Sequence, residues 1–177
     1  MEKTLKSIAT NYGLYLGATL TLLILIGYGV NLDLFTQIWF GLLFLFLILA
    51  FGIVSVFKSK KLLGGYISFK DAFTAYFITI LIGLTISSII SVVIFNFIDP
   101  DAAVDLQQRI IDSQVVRLEN YNMPADAIAK VVDEMEKKGN MYSISNILQS
   151  LVWQLAGYSV VGLIVAAIMK KRNPDAE

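Results

Sequence analysis

The sequence predicts an all-α membrane protein in which four transmembrane helices carry an extramembrane amphipathic helical hairpin between helices three and four. Three observations lead to this fold class. Hydrophobic residues make up 56% of the 177 residues and the mean hydropathy is +0.70, which is too apolar for a soluble domain of this length. Four stretches contain no Asp, Glu, Lys or Arg: 7–32, 34–57, 72–98 and 139–169. Charge returns between the last two, where 99–138 holds nine acidic and five basic residues.

Each uncharged stretch is long enough to cross a bilayer. A helix rises about 1.5 Å per residue, so about 20 residues span a hydrocarbon core of about 30 Å. A backbone in lipid must satisfy its own hydrogen bonds, which favours helices over open strands. We therefore predict spans over about 12–30, 36–57, 69–97 and 145–169. They form a single membrane domain over 1–177, with 99–140 as an insert.

Small residues repeat at steps of four on the first and third helices. Gly13 and Gly17 form one such face, and Gly83 and Ser87 form another. Faces of this kind let two backbones approach closely, so we expect helices one and three to pack together. A homodimer seam through Gly13 and Gly17 is the alternative, because this spacing is common in membrane helices. Helix two is rich in Leu, Ile and Phe, and we expect it to be the span most exposed to lipid.

A basic connection, 58–73, joins helices two and three. Gly64 and Gly65 allow a tight turn. Ser68 suits the N-cap of the third helix, and Asp71 completes a capping box that also opposes the positive helix terminus. We interpret these four residues as structural.

Asp99 and Pro100 suit the N-cap and the first residue of a new helix, where the insert begins. The pattern predicts one helix to about residue 120 and a second over about 124–138. Each carries an apolar stripe at helical spacing: Val104, Ile111, Val115 and Leu118 on the first, and Ile128, Val131, Val132 and Met135 on the second. The stripes must be buried against each other, the lipid surface or a partner.

Positive charge falls in three clusters: Lys3 and Lys6; Lys58, Lys60, Lys61 and Lys70; Lys170, Lys171 and Arg172. The connection between helices one and two contributes Asp33, and the insert is acidic. Four spans alternate sides, so all three basic clusters fall on one side. The positive-inside rule then places both termini in the cytoplasm and the insert in the periplasm.

The sequence offers little for catalysis. It has no Cys and no His, which removes thiol nucleophiles, disulfides and most zinc or iron ligand sets. Asp99, Asp101 and Asp105 begin like a calcium loop but lack its later ligand and glycine, which favours helix capping. Net charge is zero, which gives no attraction to nucleic acid. We expect no catalytic residue, no cofactor and no metal.

Uncharged polar side chains do occur in the spans. No ionisable residue lies deep in any of them, which weighs against a coupled pump. Helix three carries a row that could line a polar pathway: Thr85, Ser87, Ser88, Ser91 and Asn96. Hydroxyls in membrane helices usually bond to their own backbone, which favours packing over a pathway. Gln154 on helix four is interpreted in the same way, as a packing contact.

Several features together resemble a known family. They are four spans with both ends inside, the segment GGYISFKDAF at 64–73 opening the third helix, and Ile98, Asp99 and Pro100 closing it before a helical insert. Over nearly its whole length the chain resembles the bacterial membrane proteins catalogued as domain of unknown function 4199. The resemblance implies an inner-membrane location and transfers no catalytic or binding residue.

Three functions compete. The favoured one is a non-catalytic inner-membrane protein whose hairpin, 101–138, mediates packing, self-association or contact with a protein partner. A small oligomeric channel or transporter would instead use the hydroxyl row on helix three. A lipid-active membrane enzyme would need Asp71 or the Asp99 cluster.

Overall fold

The computed structural model describes residues 4–171, and this part of the chain is helical. Six α-helices follow in order: α1 (Leu5–Val30), α2 (Ile38–Leu62), α3 (Phe69–Val93), α4 (Pro100–Asn120), α5 (Ala125–Lys137) and α6 (Ile144–Met169). A 3-10 turn (Leu32–Thr36) joins α1 to α2, and a π-helical turn (Ile94–Ile98) extends α3. No strand occurs among the described residues, where Ile67 and Lys171 form an isolated antiparallel bridge. The all-helical fold class is confirmed.

Four of these helices are long and apolar enough to cross a membrane: α1, α2, α3 with its π-helical turn, and α6. They indicate a multi-pass membrane protein, as predicted. Two of them, α1 and α2, run past the predicted spans, because polar and charged residues prolong the helices at their ends. Thr4 caps α1 by accepting a hydrogen bond from the Ser7 amide (3.2 Å), and Lys60 and Lys61 lie in the last turn of α2, where positive charge is favourable.

The bundle has two chemically different ends. At the basic end, Lys60 Nζ donates to the Met169 carbonyl (2.9 Å), which brings the ends of α2 and α6 together. Lys3 and Arg172, predicted members of the basic clusters, lie outside the described residues. At the opposite insert end, Arg109 of α4 contacts Asp33 of the 3-10 turn, with Nη1 and Oδ1 2.5 Å apart.

The central element is α3, which packs against α1, α2 and α6. Its most extensive interface is with α1. A Cβ atom at Gly13 would lie 2.8 Å from Ile82 Cβ, and one at Gly83 would lie 2.5 Å from the Leu16 side chain. At Gly17 an added Cβ would lie 2.8 Å from the Ile86 side chain. The small-residue faces therefore meet within one chain, and α3 occupies the face that a homodimer seam would need.

The expectation that α2 is the span most exposed to lipid is wrong, because α6 is buried least. Large side chains suggested an outer position for α2, but Gly52 lets α3 approach it closely. In α6 the buried residues are Gly162, Val165 and Ala166, all in its basic-end half. The other half of α6 has no buried residue, and α6 and α2 contact each other little.

The two insert helices are held very differently. α4 buries Ala102, Ala103, Leu106 and Ile111, and its start packs into a cluster with Ile94 and Phe95 at the insert end. The predicted stripe is wrong at Val104, which is 63% exposed. Its face is displaced because the cap at Asp99 turns Ala102, Ala103 and Leu106 toward the bundle. α5 has no buried residue and packs against α4.

Candidate functional site

A polar cleft lies in the insert-end half of the bundle. Its volume is about 410 Å³, and it opens between α2 and α6 over one face of α3. Its polar side chains come from α3, α6 and the connection before α6: Ser87, Ser88, Ser91, Tyr142, Ser150, Gln154 and Tyr158. Its apolar wall includes Ile24, Phe44, Ile48 and Leu84. No charged residue lines it.

Helical periodicity brings these side chains together. Ser91 lies one turn after Ser87 and Ser88, so the three share one face of α3. Steps of four place Ser150, Gln154 and Tyr158 on the facing side of α6. The cleft forms where two polar faces meet and α2 does not fill the space between them.

The hydroxyl groups in the cleft keep hydrogen-bonding capacity. Ser87 Oγ donates to the Leu84 carbonyl (3.0 Å), and Ser91 Oγ donates to the Ser87 carbonyl (3.1 Å). A hydroxyl that donates its proton to its own helix retains lone pairs that can accept. The Gln154 side chain is exposed and has no hydrogen-bond partner within residues 4–171. Its amide can therefore both donate to and accept from a ligand.

The insert end of the cleft is covered by the connection between α5 and α6. The Tyr142 ring lies 4.5 Å from the Phe95 ring, centroid to centroid. Asn96 Nδ2 donates to the Tyr142 carbonyl (2.8 Å), and the Met141 amide donates to Gln107 Oε1 (3.1 Å). Burial raises the pKa of Tyr142, so its phenol stays neutral. This roof depends on both α3 and α4.

The opposite side of the cleft is closed. Ile48, Leu84 and Tyr158 are among its lining residues. Toward the basic end, the fully buried Tyr76 fills the space between two glycines. A Cβ atom would lie 2.5 Å from the Tyr76 ring at Gly52 and 2.6 Å from it at Gly162. The cleft is therefore blind toward the basic end.

The residues predicted to shape the connection 58–73 lie far from this cleft, at the basic end. Gly64 and Gly65 have φ of 70° and 92°, in the left-handed region that favours glycine. Ser68 Oγ accepts from the Asp71 amide (3.0 Å) and donates to Asp71 Oδ2 (2.7 Å). They turn the chain and cap α3.

The residues predicted to begin the insert also have local partners. Asp99 Oδ1 accepts from the Ala102 amide (2.9 Å), and Oδ2 accepts from the Tyr28 hydroxyl (3.0 Å). Pro100 is the first residue of α4. Among residues 4–171, no group of acidic side chains is arranged to hold a metal ion.

Of the predicted polar row, Ser87, Ser88 and Ser91 line the cleft, whereas Thr85 and Asn96 do not. Sequence reasoning missed the α6 side of the site. Gln154 and Tyr158 were visible as polar residues within an apolar span, but their spacing alone did not show that they face a cavity.

Comparison with known proteins identifies the family of the chain. No curated protein and no solved structure matches the chain. A family model, described as Protein of unknown function (DUF4199), matches residues 11–171. That range extends from the second turn of α1 past the end of α6, so it covers all four apolar helices and the insert. The chain therefore belongs to the DUF4199 family.

Proposed function

We propose that this is a non-catalytic bacterial inner-membrane protein that holds a neutral amphiphile with a hydroxyl-bearing head in the cleft. The observation that carries the proposal is the lining, in which seven uncharged polar side chains and no charged one surround about 410 Å³ within the apolar helices. A cavity of this size accommodates a small polar head.

The lining selects against charge in the ligand. A charged head would lose its hydration on entering the cleft and would find no countercharge there. Burying an unpaired charge is costly. A neutral head with several hydroxyls can instead exchange hydrogen bonds with Gln154 and the serines. The opening lies between two apolar helices, α2 and α6, and Gly41 at its edge has open space beside it. An acyl chain can leave the cleft there.

The side chains that the cleft offers support the non-catalytic part of the proposal. Serine is a weak nucleophile without an adjacent base, and the chain has no His to act as one. Asp71 and Asp99, the candidate groups of a lipid-active enzyme, are bonded in helix caps. The blind floor favours holding a ligand over conducting one, which weighs against the channel alternative.

Photoaffinity labelling in nanodiscs tests the proposal, with a photoreactive diacylglycerol as the probe. The double variant Ser88→Ala, Gln154→Leu should be labelled about tenfold less, as expected for two lost hydrogen bonds. Ser159→Ala is the matched control, because its hydroxyl bonds to the Leu155 carbonyl on α6 and does not line the cleft. Equal labelling of the double variant, or equally good competition by phosphatidylglycerol, would sink the proposal.

In this proposal the acidic insert lies in the periplasm and both termini lie in the cytoplasm. Support comes from charge, since the described lysines at the ends of α2 and α6 share the basic end. The chain has no native cysteine, so single cysteines report orientation directly. An impermeant maleimide should label Lys130→Cys in intact spheroplasts and Lys70→Cys after permeabilisation. The reverse order would invert the topology.

We propose a second role for α5, as the contact for a protein partner with an apolar surface rimmed by basic side chains. Its stripe Ile128, Val131, Val132 and Met135 stays half-exposed. Glu134 and Glu136 border the stripe, which disfavours an anionic lipid surface and favours a basic rim.

A photo-crosslinking residue at Val131 tests this second role in cells. The expected adduct is a protein other than this chain. It should be lost when Glu134→Lys and Glu136→Lys reverse the charge beside the stripe. Asp126→Lys and Asp133→Lys change the same charge on the opposite face and should leave it intact. An adduct with lipid or with a second copy of this chain would contradict the role. So would an adduct that persists when the charges of Glu134 and Glu136 are reversed.

A further inference from the structure

A second pocket lies at the basic end, on the far side of the bundle from the polar cleft. Its volume is also about 410 Å³, and it lies between the first turns of α1 and the last turns of α2. Its polar lining comprises Ser7, Asn11, Tyr12, Tyr15, Lys58 and Lys61. No acidic residue lines it, and its two positive charges come from α2.

The lysines at the end of α2 have two different roles. Lys60 points into the bundle and donates to the Met169 carbonyl (2.9 Å). Lys58 and Lys61 are three residues apart, so they share a face of α2 that looks into the pocket. Both are exposed, and neither forms an ion pair within the described part of the chain. Their charges are therefore available to a ligand.

The other wall has the character of a membrane interface. The rings of Tyr12 and Tyr15 meet edge to face, with centroids 5.9 Å apart. Tyrosine is enriched at the level of lipid headgroups, because its ring is apolar and its hydroxyl is polar. Ile8 and Leu62 add apolar surface beside the lysines. A ligand that matches this wall has an anionic group and an apolar body.

We propose that this pocket binds the phosphodiester of an anionic phospholipid. The Lys58 and Lys61 ammonium groups pair with the non-bridging oxygens, and Asn11 and Tyr12 face the glycerol oxygens. Basic pockets between transmembrane helices on the cytoplasmic side suit such headgroups. A phosphodiester also occurs in zwitterionic lipids, but their own cation competes with the two lysines. The site is separate from the neutral cleft in place, charge and ligand.

Native mass spectrometry of the full chain tests the proposal, with equimolar phosphatidylglycerol and phosphatidylcholine supplied in detergent. The unaltered chain should retain one phosphatidylglycerol in preference to phosphatidylcholine. Lys58→Gln with Lys61→Gln should lower that preference about tenfold or more, and Lys58→Arg with Lys61→Arg should keep most of it. Lys6→Gln is the matched control, because it removes a charge near the same end without lining the pocket.

Three outcomes would overturn the inference. An equal loss in Lys6→Gln would mean that diffuse surface charge binds the lipid. Displacement of the lipid by low millimolar inorganic phosphate would mean a free-phosphate site. An unchanged preference in the double Gln variant would remove Lys58 and Lys61 from the site. Gln154→Leu should leave phosphatidylglycerol binding within twofold of the unaltered chain, so failure here and failure of the neutral cleft are distinguishable.

Discussion

The basic-end and insert-end halves of α2, α3 and α6 use the same residue types for opposite purposes. Toward the basic end, two glycines are filled by the Tyr76 ring and the Thr79 hydroxyl is bonded across helices. Gly52 and Gly162 enclose Tyr76, and Thr79 Oγ1 lies 2.7 Å from Ser55 Oγ and 3.0 Å from the Ala9 carbonyl. Toward the insert end, Gly41 and Gly157 have no heavy atom within 4 Å of an added Cβ.

This difference shows that composition does not decide what a small or polar residue does in a membrane helix. The distance between helices decides it. Where α2, α3 and α6 are close, glycines admit a ring, and the Thr79 hydroxyl of α3 joins α1 and α2. Toward the insert end, Gly41 and the serines of α3 border a cavity, and the serines keep hydrogen-bonding capacity.

The largest expected effect comes from filling the glycines around Tyr76. Gly52→Ala and Gly162→Ala each place a methyl group within 2.6 Å of the buried ring, which must then move. We expect each to lower the free energy of unfolding by about 1–3 kcal/mol. Circular dichroism during denaturant unfolding in micelles measures this loss.

Gly157→Ala on α6 is the matched control for that comparison. Nothing lies within 4 Å of its added methyl group, and alanine favours a helix over glycine by up to about 1 kcal/mol. Stability should hold or rise. If Gly157→Ala and Gly162→Ala destabilise the protein equally, the two halves are not packed differently.

A smaller effect is expected from the hydroxyl that joins α1, α2 and α3. Thr79→Val keeps the shape of the side chain and removes its bonds to Ser55 and the Ala9 carbonyl. Hydrogen bonds between membrane helices contribute about 0.6 kcal/mol on average and at most about 1.7 kcal/mol, and we expect a loss in that range. Ser88→Ala, in the cleft, should cost less than Thr79→Val by the same unfolding measurement; a larger cost would place structural bonds in the cleft.

Local signals predicted much of the fold. The length of the uncharged stretches indicated the four apolar helices, and the caps at Ser68 and Asp99 lie where short sequence motifs predicted them. The cleft was not predictable in the same way. It depends on how closely α6 packs against α2, which is about 100 residues away in the chain. Nothing near Gln154 encodes that distance, so the residue was interpreted as a packing contact.

The buried side of α4 was predicted wrongly for a related reason. Val104 fits an apolar stripe with Ile111 at helical spacing, yet Ala102 and Ala103 are the buried residues. The side of α4 that faces the bundle is set by the Asp99 cap and the Tyr28 hydroxyl that bonds to it. A contact between residues 71 positions apart has no trace in the periodicity of α4.

Replacing the free amide in the cleft should change ligand binding without a loss of stability. Gln154→Leu removes an exposed group that has no partner among residues 4–171. Exposed substitutions of this kind usually change stability by less than about 0.5 kcal/mol. We expect an unchanged or slightly higher unfolding midpoint together with weaker diacylglycerol labelling. A clear loss of stability would mean that Gln154 is a structural residue like Thr79.

The smallest effect is expected where α4 meets the 3-10 turn at the insert end. The pKa of Arg109 is raised by hydrogen bonds to Asp105 and then Asp33, but its side chain is 38% exposed and that of Asp33 is 50% exposed. Solvent and salt screen such a pair, so Asp33→Asn should leave global unfolding unchanged. Hydrogen exchange should instead be faster in α4 amides at low salt, because local opening costs less than unfolding.

Asp133→Asn on α5 is the control, because the pair of Asp133 with Lys137 (2.5 Å) lies within one helix and does not involve α4. High salt should erase the difference between Asp33→Asn and the unaltered chain. Persistent fast exchange at high salt would instead show that Asp33 fixes α4 through more than charge. Asp33 would then resemble Thr79, because both ends of the bundle would be held by contacts that salt does not screen. The cleft would lie between two rigid layers.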